Sequence, residues 1–200
     1  MQRARRAGGG QVAVPVRDVA LAVAGTVLTV GLCSAIEFTS STRSDGLSWF
    51  GANRRTVLPF VVGMAAVAGL QWHAAARLPR TGALRGTRSL LRASAVLLIG
   101  ILATPYVVGV WVEAVHEVLA GGLFLLQLVF AVRYWAAHRT AVLAALTVVQ
   151  VVAGMLALAA VLGLQDDLFH AQVAFQLAFG AHLPIAVGLA GSDHERLGVT

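Results

Sequence analysis

The chain has 200 residues, 58% of them hydrophobic, and a mean hydropathy of +0.80. That is too apolar for a soluble domain and too long for a single membrane anchor. The net charge of +6 would ordinarily raise nucleic acid as a partner, but the basic residues are spaced as a topology signal, and no nucleic-acid partner is expected.

A membrane span needs about 20 mostly apolar residues. In chain order, the candidates are 18–38, 57–76, 90–112, 114–133, 141–164 and 168–190. The sequence therefore predicts an all-α, polytopic membrane protein with six transmembrane helices. Residues 1–17 form an Arg- and Gly-rich arm before the first span. Residues 18–76 hold two spans joined by the longest loop, 39–56 (within FTSSTRSDGLSWFGANRRT), which is expected on the outer surface. An Arg-rich linker at 77–89 follows, then four spans over 90–190 joined by short turns, read as an up-down four-helix bundle. A tail at 191–200 ends the chain.

All 15 basic residues are Arg, and every one except Arg43, Arg54 and Arg55 lies in the arm, the 77–92 stretch, the 133–139 turn or the tail. The positive-inside rule places those segments in the cytoplasm, with both termini inside and the plasma membrane as the expected location. Contact between the same segments and anionic lipid headgroups is a further expectation. Cys33 is the one cysteine, so no intrachain disulfide forms, and CxxC and CxxCH are absent, which removes zinc-ribbon and c-type haem chemistry. The first apolar stretch is long for a signal peptide and lacks a small-x-small cleavage site, so it is read as a retained span.

The stretch WVEAVHEVLAGG, residues 111–122, places Glu113, His116 and Glu117 at the start of the fourth span. An ionisable group deep in a bilayer costs about 2.5–3.5 kcal/mol on insertion scales and by default marks a function. His116 lies about one turn into the fourth span and His170 about one turn into the sixth, from the same membrane face. Two imidazoles at matching depth beside small residues (Gly121, Gly122, Ala171, Ala174) are the ingredients of a bis-histidine haem site. The competing reading is that each histidine hydrogen-bonds a nearby carbonyl. Glu113 shares a helix face with His116 and is placed to orient it or act on a substrate. Its alternative is a helix N-terminal acid facing water. A second haem between His73 and His182 is the weaker possibility, since His182 lies about 120° around its helix from His170. Gln127, Gln150 and Gln176 are expected in interhelical hydrogen bonds.

WVEAVHEVLAG resembles the ExxHRxxAG signature of the haem A synthase family. LTVVQVVAGMLALAAVLGLQDDLFHAQVA, residues 146–174, is similar to that family's following helix and loop, after which a histidine opens the last helix. The resemblance covers about residues 90–190, one four-helix half. It implies His116 and His170 as axial ligands of one haem b iron near the outer face, Glu113 as the functional carboxylate, and Gln150 and Gly154 in packing. The family's Arg after the first ligand is Glu117 here, and its long cysteine-bearing loop is replaced by a short turn. Arg54 and Arg55, with Arg43, are then expected to neutralise the haem propionates.

The leading expectation is a b-type haem protein for electron transfer or a haem A synthase-like oxidation at the outer face. It would work with a redox partner or respiratory complex, and a homodimer is favoured. The alternative is a non-enzymatic multi-pass protein that scaffolds a respiratory or envelope complex, with structural histidines. A transporter is disfavoured, because paired Gly/Pro-broken helices and midplane charges are missing.

Overall fold

The structure, a computed structural model, describes residues 16–80 and 84–196, with side chains described to residue 189. Residues 1–15 of the expected arm and the end of the expected tail lie outside the described residues. Among the described residues eight α-helices run in order: α1 (Val16–Ile36), α2 (Ser40–Asp45), α3 (Ser48–Ala52), α4 (Val57–Arg77), α5 (Leu84–Ala103), α6 (Val110–His138), α7 (Ala141–Val161) and α8 (Leu168–Arg196). Six of these, all but α2 and α3, are long and apolar enough to cross a membrane. The protein is all-helical and multi-pass. Its outer surface is what lipid demands, with Leu28, Leu58, Val110, Trp111 and Val118 all more than two-thirds exposed.

Helix boundaries follow local chemistry. α5 stops at Ala103, just before Thr104-Pro105, because the proline ring disfavours helical geometry in the residue preceding it. The third span is therefore shorter at this end than expected. A single 3-10 turn, Tyr106–Val108, leads into α6. At its other end α5 begins at Leu84, so much of the expected 77–89 linker is helix. Two arginines of α5 are anchored: Arg88 donates to the Leu78 carbonyl at 2.7 Å, and the Arg92 guanidinium stacks 5.3 Å from the Trp72 ring. Arg139, in the left-handed region at φ 48°, ends α6, and the Thr140 hydroxyl caps α7 by accepting from the Leu143 N–H.

The six long helices close into a ring in which α1 packs on α4, α4 on α5, α5 on α6, α6 on α7, α7 on α8, and α8 on α1. The first two spans are thus part of the same bundle as the last four. Small residues set the close approaches. A Cβ on Gly63 of α4 would overlap the Thr29 side chain of α1, and one on Gly25 of α1 would lie 3.1 Å from Val67 of α4. Of the most apolar window of α1 only 17% is buried, against 44% for α8. α8 is therefore the most buried member of the ring and α1 the least.

The 39–56 segment does not lie loosely on the surface. Thr39 forms a reciprocal capping box with Thr42 to start α2, and α2 and α3 fold as a cap over one end of the ring. Phe50 is fully buried, with Phe60 and Phe169 5.9–6.1 Å away. The Thr56 hydroxyl donates to the Phe50 carbonyl at 2.9 Å.

Candidate binding chamber

His116 is buried on α6 and both of its ring nitrogens are engaged. Nδ1 lies 2.7 Å from the Thr104 carbonyl oxygen and Nε2 lies 2.8 Å from the Ser48 hydroxyl. A carbonyl only accepts, so Nδ1 carries the proton; in the neutral ring Ser48 then donates to Nε2. The imidazole thereby links three pieces: α6, the end of α5, and the cap.

His170 is placed differently. Its side chain is 56% exposed and Nδ1 lies 2.6 Å from the Asp167 carboxylate. Its ring stands against Phe38 and Phe169, 5.4–6.0 Å away. This hydrogen bond holds the Asp167 carboxyl below its ordinary range. His116 and His170 thus enter the fold with separate partners. His116 lines the interior and His170 does not.

The remaining candidates are also dispersed. Glu113 and Glu117 are exposed on α6, and Glu113 is in its first turn, where the helix dipole favours an acid. Arg54 and Arg55 are exposed, and Arg55 lies 3.7 Å from Glu37. His73 is exposed on α4, whereas His182 is fully buried with neither ring nitrogen hydrogen-bonded to the protein. Among the described residues no cluster of three or more His, Cys, Asp or Glu side chains is placed to hold a metal ion.

Haem ligation by two histidines requires both imidazoles to face one iron across a shared cavity. Here one is turned into the bundle with both nitrogens bonded, and the other is turned outward onto a carboxylate. The arrangement does not fit a haem held between them, and the glutamate and arginines do not converge on such a site.

What the ring does enclose is a chamber. A cavity of about 300 Å³ lies between α1 and α8, and a second of about 100 Å³ lies beneath the cap between α4, α5 and α6. The two share Thr26, Leu47, Gln71, Gln127 and Gln176 in their walls and so adjoin. Gln127 and Gln176 exchange side-chain hydrogen bonds at 3.1 and 3.4 Å across the α6–α8 interface. Two residues of these walls also carry a buried polar atom without a protein partner: Gln71 at Oε1, and Ser94, which is 1% exposed, at its hydroxyl. Neither wall contains an Asp, Glu, Lys or Arg side chain. Gln172, at the cap end of the second cavity, accepts from the Leu47 N–H at 2.7 Å.

Of these residues, sequence inspection singles out His116, Gln127 and Gln176, but not the pairing of the two glutamines. Ser48, Thr104, Gln71, Ser94 and Gln172 carry no sequence signal, because their roles arise only when the cap closes on the ring. Gln150, expected in an interhelical hydrogen bond, is fully buried with neither side-chain polar atom paired within the protein.

No protein-family model, no curated protein and no solved structure matches the chain.

Proposed function

We propose that this chain is a non-enzymatic multi-pass membrane protein whose histidines are structural and whose chamber binds a small, neutral, largely apolar molecule. One observation supports this above the rest: the walls are mostly aliphatic and aromatic, carry no charged side chain, and include Gln71 and Ser94, each with an unpartnered polar atom. Pockets for small ligands combine this apolar lining with a few placed polar groups. A charged ligand would be desolvated here with no counter-charge, which is strongly unfavourable. An uncharged hydroxyl or carbonyl instead gains partners. The haem reading, drawn from the resemblance, finds no support in the placement of His170.

Decanol and decanoate, which share a chain and differ in head-group charge, test the proposal on the detergent-purified protein. Decanol is expected to raise the thermal midpoint through binding to the folded state, and decanoate to do so far less. Gln127→Leu should weaken the decanol effect. Equal stabilisation by both compounds, or none by either, sinks the reading. So does a Soret band in the wild type that is lost in His116→Ala and His170→Ala.

A further inference from the structure

The chamber is not sealed around its circumference. α1 packs along α4 much more extensively than along α8, and the larger cavity lies in that looser α1–α8 seam. Val27 and Gly31 on α1 and Leu177 on α8 line the cavity and are also exposed at the lipid-facing surface, Val27 by 46% and Leu177 by 50%. A wall residue that is exposed to the outside marks an opening.

The seam is bounded at both ends. Toward one, Gly180 meets Val23 so closely that an added Cβ would lie 2.8 Å from Val23 Cγ1. Toward the other, Phe38 stacks edge-on against Phe169 with centroids 5.2 Å apart. Between them, Gly31 has no atom within 4 Å of where a Cβ would sit. The gap thus faces the middle of the α1–α8 surface. Polarity also changes with depth. The seam is walled largely by valine, leucine and glycine, whereas Gln71, Gln127 and Gln176 stand where the two cavities adjoin, and Ser94 lies deeper.

From this we infer that the chamber is filled sideways from the bilayer, through the α1–α8 seam, by a single-chain neutral lipid that enters head first. Its hydroxyl or ester group reaches the glutamines and Ser94, and its alkyl chain remains in the seam, continuous with the surrounding lipid. The inference rests on the proposed binding of a neutral molecule and adds its class, route and orientation. A freely water-soluble ligand would need no lipid-facing opening, and a two-chain phospholipid would bring a charged head into an uncharged wall.

The test uses the full-length protein in phospholipid nanodiscs with a decanol analogue that carries a diazirine on its chain. Samples are flashed at increasing times after mixing, and labelled peptides are mapped. The wild type should label on α1 and α8 at the seam. Gly31→Phe fills the opening where the structure has room for it, and should slow labelling by about tenfold, equivalent to about 1.4 kcal/mol of added barrier. Gly121→Phe, also at an exposed glycine with open space but on α6, should label at the wild-type rate. Leu177→Trp obstructs the same opening from α8 and serves if Gly31→Phe does not fold. Seam labelling that is equally fast in both seam variants overturns the lateral route and leaves chamber binding standing. Absence of any seam labelling in the wild type, with decanol still raising the thermal midpoint, overturns the route and orientation alone. Absence of both overturns the binding proposal as well.

Discussion

His116 Nε2 and the Ser48 hydroxyl, 68 residues apart in sequence, lie 2.8 Å apart, and this contact fastens the cap to the bundle. Nδ1 of the same ring holds the Thr104 carbonyl, which the proline after it leaves beyond the end of α5. Removing the ring leaves both polar groups unpaired. His116→Ala is expected to cost about 1–3 kcal/mol, and Ser48→Ala, which removes one bond, about 1 kcal/mol. Thermal unfolding in detergent measures both. An unchanged midpoint in His116→Ala would show that the cap is held by other contacts.

Gly46 joins α2 to α3 at φ +67°, and a Cβ there would overlap Gln172 Oε1, the acceptor of the Leu47 N–H bond. Gly46→Ala therefore meets both backbone strain and a clash, for a cost of about 1–3 kcal/mol. The expected signature is local: faster proteolysis within 40–56 and faster exchange of the Leu47 amide, with the long helices still protected. Uniform loss of protection would instead make the cap part of one cooperative unit with the ring.

Gly63 accepts the Thr29 side chain of α1 against its backbone. Gly63→Ala should weaken the α1–α4 pairing, and Thr29→Ala should recover part of the loss, because it removes two of the three overlapping atoms. Residues in direct contact are expected to be non-additive in this way, by about 0.5–3 kcal/mol. Strictly additive midpoints for the single and double variants would mean that the two helices do not meet here.

The Asp167 carboxyl is held below its ordinary range chiefly by the hydrogen bond from His170, with Arg43 a smaller influence. A folded-state value below the unfolded one makes a contribution that is fully present above the unfolded value of about 3.9 and is lost as pH falls through the folded one. Carboxyl-carbon NMR should find Asp167 titrating below that value in the wild type and moving up toward it in His170→Ala. An unmoved Asp167 in the variant would mean that His170 is not its partner.

His182 is fully buried on α8, beside Phe130, with neither ring nitrogen paired within the protein. An unpaired buried polar group is a cost that an apolar replacement of similar size removes. His182→Leu should be neutral or raise the thermal midpoint. A fall of several degrees would show that the ring has a partner outside the protein.

Six apolar runs of about 20 residues leave the chain no soluble alternative, because only a helix satisfies its own backbone inside lipid. The number and order of the long helices were legible for that reason. So was the oddity of His116, an imidazole in an apolar setting. The direction each side chain faces was not legible. In a soluble helix, polar residues mark the outer face, whereas here both lipid and interior are apolar, and α7 or α8 reads nearly the same on every side. His116 and His170 are expected from their spacing to share a depth, yet packing turns one inward and leaves the other exposed. The cap was hidden for a different reason. Ser48, Gly46 and Gln172 acquire their roles only from contacts spanning 68 to more than 120 residues, and no local pattern encodes such distances. Composition decided that this protein lives in a membrane and how many times it crosses. Only the tertiary packing decided which residues enclose the chamber, since the closure of α1 and α4 onto the last four helices depends on small-residue contacts that exist only once the helices meet.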